Sequence, residues 1–259
     1  MTHARGLALR VGTPIAAALV VLAAWQLYAL ASGVRESTLP APTQVFSALY
    51  TDRQLLAEGA GVTIGEVLVG YAAAILAGVV LAALVHTAPA VERAVYPWLV
   101  ASQTVPVPAI APVIVLWTGF DLRPKVILIA LVCFFPIVVN TVDGLKAAEP
   151  ELLDLLRTLD ASRWQRFRLA QLPASLPFVF SGLKVAAALS VVGAVFAEWV
   201  GSSSGLGYQI LILNNQTATS DMFAAIVVLS LIGVGLFLLV GLAERLALPW
   251  YFEARSGTP

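Results

Sequence analysis

The sequence predicts an all-α integral membrane protein with six transmembrane helices, and three observations carry that prediction. Of its 259 residues, 59% are hydrophobic and only 12% are charged, against about 25% charged in a soluble domain. Its mean hydropathy is +0.90. Long stretches free of Asp, Glu, Lys and Arg recur along the chain, and about 20 apolar residues suffice for a helix to cross the hydrocarbon core.

Those stretches give the spans in order. The first covers residues 11–34. Arg5 and Arg10 ahead of it would also suit a cleaved secretory signal, but residues 14–31 exceed such a signal's apolar region of about 7 to 15 residues, so the run is read as a membrane helix. Next, segment 36–61 contains "LPAPTQVFSALY", a short amphipathic helix expected to start after Pro42 and to lie flat on the membrane or serve as a docking platform. The second span covers 67–91, the third 94–120, the fourth 126–142 and the sixth 222–243. The fifth, 185–197, is short, but Lys184 and Glu198 can snorkel from its ends, which extends it to 178–200.

The third span holds Pro106, Pro108 and Pro112, so it cannot be a regular helix. Broken backbone at membrane depth is tolerated where it lines a cavity or is buried in protein, which places this segment beside a pathway. Gln103, Trp117 and Asn140 are the side chains best suited to line it; helix-to-helix hydrogen bonding or an interfacial belt is the competing role for each. Glu66 and Glu198 are intramembrane charges by sequence, and such a charge costs about 2.5 to 3.5 kcal/mol at the bilayer centre. Each falls within a turn or two of the outer surface, from which it could reach headgroups or water. Structural or gate-lining roles are therefore expected for them ahead of direct substrate contact.

Six spans put both termini on one side, and the positive-inside rule selects the cytoplasm. The inner segments then hold Arg5, Arg10, Arg93, Lys146, Arg157, Arg163, Arg166, Arg168, Lys184, Arg245 and Arg255, and the outer loops only Arg35, Arg53, Arg123 and Lys125. This leaves one large cytoplasmic loop, 144–176. Leu152, Leu153, Leu155, Leu156 and Leu159 recur there with helical spacing, and Asp160 is expected to cap a second short helix. In that second piece Trp164 and Phe167 share one face and Arg163 and Arg166 another, with Pro173 and Pro177 expected to stop it and start the next span. By spacing alone, the loop suits either a protein partner or a basic helix on anionic lipid.

"LLDLLRTLDASRWQRFRLAQLP" resembles the coupling loop of permease subunits of bacterial ABC importers, whose pattern is Glu-Ala-Ala, three residues, Gly, nine residues, Ile, one residue, Leu-Pro. Asp154, Leu155 and Leu156 stand in the first three places, Asp160 in the Gly place and Ala170 in the Ile place, while Leu172 and Pro173 match. "TIGEVLVGYAAAILAG", "PWLVASQTVPVPAIAPVIVLWTGF", "FFPIVVNTVDGL" and "AEWVGSSSGLGYQI" are similar to the nitrate, sulfonate and taurine branch of these permeases. "LSVVGAVFAEWVGSSSGLGY" looks most like subunits for thiamine-precursor uptake, of hydroxymethylpyrimidine or formylaminopyrimidine type, and riboflavin permeases look similar too.

The resemblance, which runs from about residue 39 to 251, implies a type I ABC importer permease (MetI-like) fold, and a single membrane domain is expected over residues 1–259. It also implies a working assembly of two permease copies, two cytoplasmic ATPase subunits docked on the coupling loops, and an extracytoplasmic substrate-binding protein, all embedded in membrane lipid. Within it the loop residues Asp154, Arg157, Asp160, Arg163, Trp164, Arg166, Phe167, Leu172 and Pro173 would meet the ATPase. Glu66, Gln103, Pro106, Pro112, Trp117, Asn140 and Glu198 would form pathway or gate. Tyr208, Asn214 and Asn215, in a glycine-rich then polar segment expected to be a re-entrant or surface loop, would meet the binding protein.

No G-x-x-x-x-G-K-[ST] phosphate loop occurs in the sequence, so ATP is expected on a separate subunit and no cofactor on this one. Neither His3 nor His86 has companions at metal or catalytic spacing, and Cys133 is alone, so no metal site, no intrachain disulfide and no enzyme activity are expected. The rival class, an ATP-independent secondary transporter, would need deep ionisable relays or two matching halves with interrupted helices, and neither is visible.

Overall fold

The computed structural model describes residues 2–87 and 89–256, with side chains within 12–86 and 90–253. The side chains of His3, Arg5, Arg10 and Arg255 lie outside the described residues. Every described regular element is helical: α1 (Thr2–Ala31), α2 (Pro42–Thr51), α3 (Arg53–Thr87), α4 (Pro89–Ser102), α5 (Val107–Thr118), α6 (Leu122–Lys146), α7 (Pro150–Thr158), α8 (Arg163–Arg166), a π-helical turn (Phe167–Gln171), α9 (Leu172–Gly201), α10 (Leu206–Asn215), α11 (Thr219–Ala247) and α12 (Pro249–Ser256).

Helices α6 and α9 form the central pair. A Cβ on Gly182 would stand 2.7 Å from the Pro136 carbonyl oxygen, and one on Gly144 2.9 Å from that of Ser175, so only glycine admits this crossing. In lipid, helices associate through such close packing because no hydrophobic force distinguishes a neighbour from an acyl chain. Val67, Tyr71 and Ala74 of α3 pack on Ile129, Cys133 and Ile137 of α6 and on Ala186, Ala187 and Ala194 of α9. The Tyr71 hydroxyl donates to the Leu183 carbonyl at 2.7 Å, and the buried Cys133 thiol to that of Ala186 at 3.2 Å. Helix α11 covers α9, and there Lys184 pairs with Glu244 at 2.7 Å. The expected snorkelling of Lys184 is thus replaced by an ion pair, because a carboxylate at the same depth neutralises the ammonium without a reach to the interface.

Among the described residues five helices are long and apolar enough to cross a membrane, and α4 with α5, bent by 100°, are together long and apolar enough for a sixth passage. The break falls at residues 103–106, ahead of Pro106, which is the N-cap of α5 and has no N–H to continue α4. Lys146 at the end of α6 pairs with Glu92 at the start of α4, whereas Val115 near the end of α5 packs where a Cβ on Gly201 would be, at the other end of α9. The bent pair therefore runs from the face that carries α7 and α8, the loop face, to the far face. With the bent pair counted as one, the described residues hold six candidate passages.

At the far face Val45 and Ala48 of α2, Leu56 of α3, Leu206 and Ile210 of α10, and Ala224 and Ala225 of α11 form a second core. Two expectations change as a result. Helix α2 is built into the bundle instead of lying on its surface, and the segment after the fifth span is a packed helix, α10, instead of a re-entrant loop. Helix α1 meets the bundle near its far-face end, where Trp25 lies 5.9 Å from the Phe223 ring and Gln26 bonds to Thr43.

Candidate functional site

The loop face carries the first candidate surface. Helix α7 begins at Pro150, favoured in a first turn because its missing N–H has no partner there anyway, and ends in a left-handed turn. Asp160 takes φ +55°, its N–H bonding to the Arg157 carbonyl at 3.1 Å and that of Ala161 to Leu156 at 2.9 Å. This is the closing pattern that usually takes glycine. Asp160 is thus the terminator of α7, not the cap of the next helix. Ser162 is that cap: its hydroxyl accepts from Gln165 N–H at 3.2 Å while the Gln165 side chain accepts from Ser162 N–H at 2.7 Å.

From Arg163 the chain is helical without interruption to Gly201, so Pro173 and Pro177 do not stop it. Pro173 has no N–H to give the preceding turn. The wide turn at Phe167–Gln171, in which Leu172 N–H bonds to the Phe167 carbonyl, carries the helix past it. Trp164 and Phe167 stack with centroids 5.5 Å apart and planes at 26°, and Trp164 is 66% exposed. On α7 and its end Leu155 and Leu159 are exposed too, and Asp154 pairs with Arg157 at 2.6 Å in solvent. Leu172 is also on the surface. The second expected short helix is therefore the loop-face extension of α9, and the aromatic stack sits on a helix continuous with that span.

The far face carries the second candidate. Glu198, at the end of α9, is 0% exposed. Its carboxylate accepts from the Thr63 hydroxyl at 2.7 Å, from Tyr208 N–H at 3.2 Å and from Gly207 N–H. Thr63 in turn accepts from Leu206 N–H at 2.9 Å. The first turn of α10 is thereby tied to α3 and α9. The chain reaches this position through Gly205, at φ +104°, where any Cβ would fall on the Glu198 carboxylate. Next to it Lys125 pairs with Glu66 and donates to Ser202 Oγ at 2.9 Å. Both side chains of that pair are nearly closed off from solvent.

Neither glutamate reaches headgroups or water as expected. Each is neutralised inside the bundle, Glu66 by an ammonium and Glu198 by hydroxyl and amide dipoles, the usual condition for a buried charge. One Glu66 oxygen is buried without a partner, and Glu66 is among the residues that line a cleft of about 600 Å³ together with Lys125, Asp121, Ser202 and Phe120. Thr63, Lys125, Ser202, Gly205 and Gly207 were absent from the sequence-based candidates; the "GSSSGLG" run was the visible signal for the glycines.

The remaining candidates do not converge. Gln103 lies exposed in the break of the bent pair, and Pro106 and Pro112 are exposed along α5. Trp117, near the end of α5, is 78% exposed. Asn140, half-buried in α6, gives its amide to the Pro136 carbonyl at 2.8 Å. Tyr208 is half-buried, whereas Asn214 and Asn215 are exposed at the end of α10. Among the described residues no His, Cys, Asp or Glu cluster could hold a metal ion.

Residues 74–249 match the model of the family described as binding-protein-dependent transport system inner membrane component. The chain is 38% identical to the formylaminopyrimidine transport permease protein ThiX of Halalkalibacterium halodurans, over 90% of this chain and 93% of that one. It is 30% identical to the putative aliphatic sulfonates transport permease protein SsuC of Bacillus subtilis, over 89% and 84%. A solved structure titled as an amino acid ABC transporter with histidines superposes with a TM-score of 0.61 at 16% identity, covering 81% of this chain and 98% of that one, which is a likeness of fold. A six-passage helical bundle with a bent third passage, a loop-face aromatic stack and this family match agree on one conclusion: the chain belongs to the inner-membrane permease components of binding-protein-dependent ABC importers, in the nitrate, sulfonate and taurine branch, and is a transport protein and not an enzyme.

Proposed function

We propose that this permease imports a pyrimidine precursor of thiamine, that it works as a homodimer with the loop face in the cytoplasm, and that Trp164 and Phe167 are where the ATPase pushes. The observation that carries the coupling assignment is the exposed Trp164 stacked on the half-buried Phe167, on a helix continuous with α9. An exposed aromatic anchor beside arginines is what protein interfaces favour. The ATPase subunits implied by the family bind ATP, and their closure moves the stack and with it the whole of α9. Orientation rests on the excess of Lys and Arg on the loop face. Dimerisation is supported by the exposure of Gln103 and Trp117 on the bent pair, which suits a pathway formed between two copies.

The substrate assignment rests on the likeness to the formylaminopyrimidine permease. Sulfonate, taurine, nitrate or riboflavin transport by the same machinery is the second reading, favoured by the sulfonate relative for its first member. Co-purification of the tagged chain in a mild detergent, with mass spectrometry of its partners, identifies the ATPase and the binding protein, and screening that binding protein against pyrimidines, flavins and sulfonates decides the substrate. Pyrimidine binding supports the proposal; binding of a sulfonate alone replaces it. For the coupling surface, the double variant W164A/F167A in the full transporter is expected to insert normally, keep ATP hydrolysis and lose uptake. Normal uptake by that variant would overturn the assignment.

A further inference from the structure

Between the loop-face end of α3 and the coupling loop lies a cavity of about 410 Å³ with a cationic lining. Arg157, Arg163, Arg166 and His86 line it, and Phe167 forms part of its apolar wall. Arg157 has Asp154 as a partner, an exposed pair. Among the described residues Arg163 and Arg166 form no ion pair, and the Nε of Arg166 is shut off from solvent with no acceptor. No carboxylate lines the cavity. Guanidinium groups gathered in this way repel one another, and a bound anion removes that cost.

The position decides which anion. His86 lies in the last turn of one membrane-spanning helix and Arg163 opens another, so the cavity sits at the level where hydrocarbon gives way to water and lipid phosphates lie. Trp164 falls on a different face of the helix from Arg163 and Arg166 and does not line the cavity, whereas its stacking partner Phe167 does, so the cavity and the aromatic stack share one wall. We propose that it holds the phosphate of an anionic phospholipid headgroup from the leaflet on the loop side. Two guanidinium forks grip phosphate oxygens in the bidentate geometry that arginine favours, and Phe167 meets the glycerol and first methylenes. Bound there, the lipid ties the coupling loop to α3. The inference does not depend on the substrate or on which leaflet is cytoplasmic.

The test is native mass spectrometry of the full-length permease, released from mild detergent after exposure to phosphatidylglycerol or to phosphatidylcholine with the same acyl chains. One phosphatidylglycerol per chain is expected to be retained in preference to phosphatidylcholine. With each basic side chain near a membrane surface worth roughly fivefold in affinity, R163Q/R166Q should lower retention by about thirtyfold. The charge-preserving R163K/R166K, which also serves if the neutral variant fails to fold, should fall between. Equal retention by wild type and R163Q/R166Q, or by wild type and R163K/R166K together with phosphatidylcholine, would overturn the proposal. Displacement of the lipid by millimolar inorganic phosphate would overturn it in favour of a soluble anion, and displacement by the ATPase subunit in favour of a protein carboxylate.

Discussion

Replacing Thr63 by Val tests whether the far-face latch holds the bundle together. Thr63 is 0% exposed, and its single hydroxyl both donates to Glu198 at 2.7 Å and accepts from Leu206 N–H at 2.9 Å. Valine keeps the shape and removes both bonds, leaving a buried carboxylate oxygen and a buried amide without partners. A hydrogen bond to a charged group is worth about 1.5 to 3 kcal/mol and a neutral one about 0.5 to 1.5 kcal/mol, so T63V should cost about 2 to 4 kcal/mol. T63S keeps the hydroxyl and loses one buried methyl, about 1 kcal/mol. The assay is the thermal unfolding midpoint of the purified protein in one detergent. At about 2 to 4 °C per kcal/mol for a chain near this size, T63V should fall by on the order of 5–15 °C and T63S by a few degrees. Unfolding of T63V at or above the T63S midpoint would refute the claim that these two bonds hold the latch.

Three other outcomes are expected. K125M strands the Glu66 carboxylate inside the bundle and should cost roughly 3 to 5 kcal/mol in thermal stability, with much of it recovered in K125M/E66Q. D160G should raise stability by about 1 kcal/mol, because Asp160 sits at φ +55° where glycine carries no Cβ penalty, and unchanged or lower stability would show that the Asp side chain contributes something glycine cannot. Y208A should leave insertion intact and weaken stimulation of ATP hydrolysis by the binding protein, measured in liposomes across binding-protein concentrations.

The spans were legible because a helix in lipid must hide its charges, and counting charge-free residues finds such helices directly. The same count placed the start of the second span at residue 67, whereas α3 begins at Arg53. Glu58 and Glu66 interrupt the count, and nothing local shows that Glu66 is neutralised by Lys125 from another helix. Leucine spacing found α7, but the proline rule assumes an α-helical turn and so cut the chain at Pro173, which a π-turn carries through. Asp160 in the place of the family's glycine was visible as a departure. Its backbone is left-handed, the conformation that glycine adopts most easily. Glu198 was visible as a charge, and the glycines after it as a run, but their meeting with Thr63 joins segments far apart in sequence, which no periodicity encodes.

The π-turn between the aromatic stack and the rest of α9 amounts to one residue more than an α-helix would use over the same rise. The extra residue is absorbed in the wide turn, so Trp164 and Phe167 keep, relative to Glu198 at the other end of the same helix, close to the direction that a plain α-helix one residue shorter would give them. Deleting one residue within Phe167–Gln171 is therefore expected to leave a regular α-helix with the stack aimed nearly as before, whereas a deletion elsewhere in α9, with the wide turn kept, would turn the stack by roughly 100° about the axis. The wide turn is thus slack in the helix, a place where the length of the chain can change by one residue without re-aiming the stack.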